Sequence, residues 1–342
     1  MADNAYYLGQ GYVKIAPRVF NGPRKGGFVD VGDSASLIIE VAQKFDDIYE
    51  SQTGQHQIAS HTPIETTYNV KLQMLNWSLE NLALAMQGTV SGAVAAGTVT
   101  NEAQVAYNNS SILLNNPGVS GLSLALQGSS GSVGSVAITA AGTGGVAGQQ
   151  YALTFSGGSP TTTATGYVIA NAAGGAGSVV ITNPGAGYTA PITASVATIT
   201  GATFVVNAGG TALVSGTDFN LPLNVGGGNG GIVNILPGSL VVPAAMVNGV
   251  GVSASYSYAA YSGSMQGGVG GLQEYELLFD GINTKDGNAP VLAQCFRVSM
   301  NFAKAIDLLA DKHGMLEVDG MLLPDSTITG AGLSQYFKMT KV

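Results

Sequence analysis

The sequence predicts a mainly β protein with an antiparallel sandwich or barrel core, and three observations support this fold class. Glycine makes up 50 of the 342 residues. Only 9% of the residues are charged, whereas about 25% are charged in an ordinary soluble domain. Short runs of valine, isoleucine, threonine and tyrosine stand between glycine, proline and asparagine, which is the pattern of strands separated by turns.

The clearest pair of predicted strands lies at residues 34–44 and 64–76. Both segments alternate apolar and polar side chains with a period of two, which predicts a sheet with one buried face. The polar segment between them, Lys44–Pro63, is too long for a hairpin turn. We therefore predict a long functional loop, whose candidate contact residues are Phe45, Asp46, Asp47, Tyr49, Glu50, Gln55 and His56.

One short helix is predicted at about residues 78–87, flanking the buried face of this sheet. Ser78 is a good N-cap residue, Trp77 before it can pack against Leu82, and Gly88 follows the last apolar position. Between the two ends, apolar residues recur at helical spacing.

Two separate parts of the chain resemble the tail tube proteins, or major tail proteins, of tailed bacteriophages. Residues 76–88 are similar to the family pattern S-x-E-N-L-A-x-A-L-x-G, which follows the second long strand. Residues 214–220, 230–238 and 251–259 are similar to the later run GTDY, G-x-I and V-x-V-S-Y-x-Y, in the family's order. The resemblance implies a hexameric ring that stacks with its copies into the hollow tail through which DNA is ejected.

The same resemblance implies the protein's partners and location. Copies of the chain would contact each other, DNA would pass through the lumen without specific binding, and tape-measure and tail-tip or terminator proteins would contact the tube. The protein would lie in the virion tail, after assembly in the host cytoplasm. No cofactor is implied.

The distribution of charge predicts two domains. From Ala103 to Gln273 the only formally charged residue is Asp218, and all other charges lie in the two flanks. We predict a discontinuous core domain at 1–97 plus 262–342 and an outer, uncharged β module at 98–261. The module contains an internal repeat, with units at about 128–171 and 172–207. Two pairs of segments carry the repeat: 134–139 recurs as 177–182, and 163–171 as 198–207.

Two further strands of the core are predicted at 273–280 and 291–300. In the second, Phe296, Val298 and Met300 are expected to point inward, and Cys295, Arg297 and Ser299 outward. Residues 305–312 have helical spacing, although the resemblance implies only a turn there, and 314–321 is a predicted last strand.

If the core sheets join edge to edge around a channel, the polar sides of these strands become candidates for its lining. They are Ser36, Glu40, Thr67, Asn69, Lys71, Gln73, Glu274, Glu276, Arg297 and Ser299. A one-residue slip of a strand would exchange its two faces.

Charge and cysteine content argue against several other functions. The net charge of −8 disfavours a grip on nucleic acid through phosphate neutralisation. The single cysteine, Cys295, excludes an intrachain disulfide framework. The N-terminus lacks the features of a classical export signal, and no segment is apolar enough to span a bilayer, so we expect no membrane insertion.

Candidate enzyme and cofactor motifs have simpler structural explanations. Gly226–Gly231 matches G-x-G-x-x-G, but a strand-like segment follows it where a dinucleotide site needs a helix. His56 and His61 lack a third ligand at zinc spacing. Glu274 and Glu276 share a strand face, which favours a solvated surface over an acid–base pair. We expect no metal, cofactor or catalytic residue; a surface β-repeat adhesin and a phage capsid or decoration protein stay open as alternatives.

Overall fold

The computed structural model describes residues 6–51, 54, 56–223, 228–271, 273–301, 303, 305–306, 308–309 and 313–341. The predicted mainly β class is confirmed, since strands account for 52% of the chain and helix for 2%. The strands pair in several antiparallel sheets, and within the described residues none of these sheets closes into a barrel.

The strands follow each other along the chain with one α-helix, α1, at Leu79–Ala85. In chain order they are β1 Gly9–Arg18, β2 Val29–Asp30, β3 Ser34–Tyr49, β4 Ile58–Met74, β5 Thr89–Val90, β6 Gly97–Ala106, β7 Ser111–Leu113, β8 Val119–Leu126, β9 Val133–Ala140, β10 Gln150–Ser156, β11 Thr165–Ala170, β12 Ala176–Asn183, β13 Thr193–Ser195, β14 Thr203–Ala208, β15 Phe219–Asn220, β16 Ile232–Ile235, β17 Val250–Tyr258, β18 Met265–Gln266, β19 Glu274–Asn283, β20 Ala289–Met300, β21 Leu316–Leu322 and β22 Phe337–Lys341.

The chain divides into two compact units. Unit 1 consists of residues 1–92 and 263–342, and unit 2 consists of residues 93–262. The charge distribution had predicted boundaries at 97/98 and 261/262. Unit 1 therefore draws on both flanks of the chain, and unit 2 is a single continuous segment.

Unit 1 is built on one antiparallel sheet of eight strands, in the order β2-β1-β19-β20-β21-β4-β3, with β22 also paired to β20. One face of this sheet is apolar. Val70, Leu72 and Met74 from β4 are at most 1% exposed and pack in one cluster with Leu277, Val298 and Leu316 from the neighbouring strands. The period of two along each strand thus produces a continuous buried layer.

Helix α1 covers part of the apolar face through Leu84 and Ala85. The Ser78 hydroxyl accepts a hydrogen bond from the Asn81 backbone N–H at 3.1 Å, so Ser78 is the N-cap. The Trp77 indole N–H donates to the Gly314 carbonyl at 2.9 Å. The second helix expected at 305–312 is wrong for the described residues 305–306 and 308–309, which are not helical. The rest of that segment lies outside the described residues.

Unit 2 contains two hydrophobic clusters. The first gathers β6, β8 and β17 with β7, β15 and β16, around residues such as Leu124, Val233 and Val252. The second gathers β9 to β14, around residues such as Val136 and Val168. The residues of the second cluster are those that carry the internal repeat in the sequence.

The repeat reappears in the pairing of these six strands. The first strand of repeat one, β9, pairs with the last strand of repeat two, β14, and the first strand of repeat two, β12, pairs with the last strand of repeat one, β11. Val136 lies opposite Val206 in one pair, and Val179 lies opposite Val168 in the other. Both pairs carry two register irregularities at corresponding positions. This pairing matches Val168 to Val206. The alignment expected from residues 163–171 and 198–207 is thereby shifted by three residues at the start of the segments and by two at their end.

Candidate functional site

Strands β3 and β4 extend beyond the rest of the sheet as a two-stranded ribbon, which we define as Ala42–Tyr49 and Ile58–Thr67. The predicted long loop at 44–63 is wrong for most of its length, because Phe45 lies opposite Pro63, Asp47 opposite His61 and Tyr49 opposite Ile58 in an antiparallel ladder. The register of this ladder shifts at Lys44/Phe45 and at Ile48/Tyr49. The polar composition hid these strands, since their pairing depends on backbone hydrogen bonds and not on a buried face.

Several large apolar side chains of the ribbon are exposed. Ile48, Ile58 and Ile64 have 58%, 54% and 58% of their surface accessible, and Phe45 and Tyr49 are also exposed. An isolated two-stranded ribbon is marginally stable in water. Packing of another surface against these apolar side chains would therefore stabilise the ribbon.

The predicted loop residues lie along this ribbon or at its tip. The Phe45 ring stacks on His61 at 3.9 Å between ring centroids, and His61 Nδ1 lies 2.5 Å from Asp47 Oδ1. Tyr49 contacts His56, whose backbone φ is 50°. Asp46 lies opposite Thr62, Glu50 follows Tyr49 at the tip, and Gln55 lies outside the described residues.

The sheet face opposite the core is polar, and its part on β3, β4 and β21 is open. Lys71 Nζ donates to Glu40 Oε1 at 2.8 Å, and Gln73 accepts from Ser36 and donates to Glu317. The predicted residues Ser36, Glu40, Thr67, Asn69, Lys71 and Gln73 all lie here, and each is partly exposed. We call this region the open polar face.

Around Glu274 and Glu276, on β19, the same face is covered, and here the sequence-based expectation is wrong. Farther along β1 and β19 the face is accessible again, at the ion pair of Lys14 with Asp280. Glu274 and Glu276 are 1% and 7% exposed, although a solvated surface was expected. They are buried under arginine side chains, which we group with them as the charged cluster. Its members are Arg18, Arg24, Arg297, Glu274, Glu276 and Asp325.

The strongest pair in the charged cluster joins Arg297 to Glu274. Nε and Nη2 of Arg297 donate to the two carboxylate oxygens at 2.8 and 2.6 Å, and the Asn21 backbone N–H donates to the same carboxylate. The Arg297 guanidinium lowers the pKa of Glu274 and outweighs burial, which acts in the opposite direction. Ser299, the last predicted lining residue, lies opposite Glu274 on β20 and is partly exposed.

The pair Arg18–Asp325 holds the other side of the cluster, with Arg18 Nη2 donating to Asp325 Oδ2 at 2.8 Å. Burial raises the pKa of Asp325, but hydrogen bonds from Thr327 and Arg18 lower it by more. Sequence analysis missed both residues as site members. They are 307 positions apart, and no local pattern connects them.

The predicted outward position of Cys295 is also wrong. Cys295 is fully buried in the apolar cluster of unit 1, and burial raises the pKa of its thiol to about 12. The reason is a bulge: Tyr275 and Leu277 of β19 lie opposite Val298 and Cys295, so β20 has one extra residue in this interval. The bulge reverses the alternation and places Cys295 on the core side.

The family model described as "Protein of unknown function UCP028589" matches residues 6–158 and 166–340. The chain belongs to this family. The family's matched ranges contain the whole ribbon, the open polar face and the charged cluster. A search of curated proteins finds no match.

No group of three or more histidine, cysteine, aspartate or glutamate side chains in the described residues could hold a metal ion. No helix among those residues has the length and apolar character needed to cross a bilayer. The candidate functional surfaces of unit 1 are the ribbon, the open polar face and the two sheet edges.

Proposed function

We propose that this protein is the structural subunit of a phage-type tail tube, which closes into rings and stacks into a hollow filament. The observation that carries the proposal is the incomplete sheet of unit 1. It has one buried face, one polar face, an edge strand on each side and a ribbon projecting from one edge. Free edges of this kind promote uncontrolled association unless another strand covers them.

Strand direction supports closure between copies. Each neighbour in the order β1-β19-β20-β21-β4-β3 is antiparallel, so β1 and β3 run in opposite directions. Rotation about an axis along the strands preserves these directions, so β3 of one copy would meet β1 of the next in antiparallel orientation. β2 and the segment around it pair with β1 between Val13 and Arg18, which leaves the outer edge of Gly9–Tyr12 available. In this proposal the barrel is closed by the sheets of all copies in the ring together and not by the sheet of a single copy.

The polar face supports an aqueous bore. Every copy would turn the same face inward, so the open polar face would recur around the ring, hexameric as the resemblance implies. Its carboxylates and amides hold water, and the net charge of −8 offers no stripe of cations to bind phosphate. DNA would pass along such a wall without being held.

The ribbon supports stacking. A ring whose ribbons pack on the next ring makes a head-to-tail contact, and such contacts propagate into filaments. The exposed Ile48, Ile58 and Ile64 would be buried there. Tape-measure, tail-tip and terminator proteins would then be partners at the bore and the two ends.

Electron microscopy of the purified full-length protein tests the proposal, together with light scattering across a range of concentrations. We expect rings and hollow tubes with a regular axial repeat. Monomers at every concentration would favour the adhesin alternative, and closed shells or isolated trimers the capsid or decoration alternative; any of these results contradicts a tail tube.

A further inference from the structure

A compact loop, Pro324–Gln335, lies between β21 and β22 and covers part of the polar face of unit 1. Both strands pair with β20, at Val298–Met300 and at Val291–Cys295, and the loop leaves the sheet between them. The Asp325 backbone N–H donates to the Gln335 carbonyl at 2.9 Å and closes the base. Loops whose ends meet in this way are Ω-loops, which are frequently functional.

The base of the loop is fixed by the charged cluster. Arg18 donates to the Asp325 carboxylate at 2.8 Å, and Arg297 Nη1 donates to the Pro324 carbonyl at 3.3 Å. The Thr327 hydroxyl and backbone N–H both donate to the other Asp325 oxygen. The side chains of Arg18 and Asp325 are 7% and 8% exposed. Breaking a pair buried to this extent is costly, so the loop has a defined position on the sheet.

The apex of the loop, Thr329–Ser334, is different from its base. All of its residues are exposed, none is charged, and Leu333 has 63% of its surface accessible. Gly332 has φ of 82°, a conformation that side chains other than glycine rarely adopt. A neutral, exposed apex is thus mounted on a rigid, ion-paired base.

We propose that the apex of this loop forms the constriction of the channel and is the part of the wall nearest to passing DNA. This inference rests on the proposed tail tube function. The loop stands on the same sheet face as Glu40 and Lys71, which are left open. In a ring with that face inward, each copy would contribute one loop to the bore. Because the apex has no cationic side chains, it would restrict the width of the bore but would not bind the phosphates of DNA.

A shortened loop tests the constriction. Replacing Gly330–Leu333 by Asn-Gly keeps the base contacts of Asp325, Thr327 and Gln335, and Leu333→Ser is a control of native length. Electron microscopy of the tubes should show the narrowest bore widened in the shortened variant, with an unchanged axial repeat. An unchanged bore, or loop density on the outer wall, overturns the inference while the tube itself survives. Wild-type protein that forms no tubes contradicts the proposed function instead.

A labelling experiment covers the case in which the shortened variant does not fold. Cys295 is buried, so the wild-type protein is a low background for maleimide labelling. Ala331→Cys, at the exposed apex, should react with a small maleimide in tubes but not with a maleimide carried on a large polymer. Ala147→Cys, exposed in unit 2, should react with both reagents in the same tubes. Equal reaction of Ala331→Cys with both reagents places the apex outside the bore and overturns the inference.

Discussion

Units 1 and 2 differ in how their strands are paired and in where their charged side chains lie. Unit 1 has long strands in one open sheet, and all but two of the chain's formal charges fall within its residue ranges, the exceptions being Glu102 and Asp218. Unit 2 divides its strands among small sheets, and the strands of its repeat pair reciprocally with each other. Its two charged groups are buried and hydrogen-bonded inside the unit, Asp218 to Ser239 and Glu102 to Tyr256.

This difference suggests a division of roles. The reciprocal pairing in unit 2 uses its own repeat as the partner, in the way that a second subunit would. Unit 1 leaves the outer edge of Gly9–Tyr12, the outer edge of β3 and the ribbon without such a partner among the described residues. In the proposed tube a second copy supplies that partner.

The largest effect is expected from removing the ribbon. Replacing Lys44–Glu65 by Asn-Gly joins Gln43 to Thr66, which already lie opposite each other, through a two-residue turn. The shortened protein should still fold, because residues 44–65 are not part of the core cluster of unit 1. In the proposed tube it should no longer polymerise, because the ribbon makes the contact between rings. Electron microscopy and light scattering measure this, with the exposed substitution Thr62→Ala as the control. Tubes of normal length from the shortened protein would show that the ribbon is not needed for stacking.

The next largest effect is expected from Arg297→Ala in the charged cluster. The substitution leaves the Glu274 carboxylate buried without its main partner, and breaking a buried pair costs about 3–5 kcal/mol. Trp77, the only tryptophan, is partly buried and packs against the core of unit 1, so its fluorescence during urea unfolding reports on this unit. Lys71→Ala, which breaks the exposed pair with Glu40, is the matched control and should change little. Equal destabilisation by both variants would mean that the buried pair contributes no more to the stability of unit 1 than the exposed pair does.

A smaller effect is expected from Asp218→Ala in unit 2. Asp218 accepts hydrogen bonds from the Ser239 hydroxyl at 2.5 Å and from the Val214 backbone N–H at 2.8 Å. Loss of a buried acceptor costs about 1–3 kcal/mol. Hydrogen exchange should show faster opening of unit 2 with unit 1 unchanged, and the exposed neighbour Thr217→Ala should leave both units as they are. Destabilisation confined to unit 1 would contradict the separation of the units.

The smallest effect is expected from mild acid. The pKa values of Glu274 and Asp325 are lowered in the folded protein, so these groups stabilise unit 1 fully above the ordinary carboxyl pKa of about 4. That stabilisation is lost as the pH falls through the lowered values. Urea midpoints followed by Trp77 should therefore be flat from neutral pH to about 5 and decrease below it. Glu274→Gln should have a shallower decrease; an identical slope would exclude Glu274 as a contributor.

The features that the sequence predicts correctly are those that depend on residues close together along the chain. Alternation in 34–44 and 64–76, the Ser78 cap and the uncharged middle of the chain are local patterns. They led to the mainly β class and to the position of the short helix. The ribbon was mistaken for a loop because Asp46, Asp47 and Thr62 have no buried face to reveal their strands, and only the ladder between β3 and β4 orders them.

The sequence by itself determined the strands that have one buried face, such as 34–44 and 64–76, and where the charges concentrate, because alternation and side-chain polarity are properties of each segment alone. Only the tertiary structure decided the pairing of the ribbon strands and which side of β20 is buried. One extra residue in β20 moved Cys295 into the core, and Arg18, from the far end of the chain, met Asp325 over Glu274 and Glu276. The physical reason is that burial and ion pairing require partners brought together by the sheet, and those partners leave no trace in the local sequence.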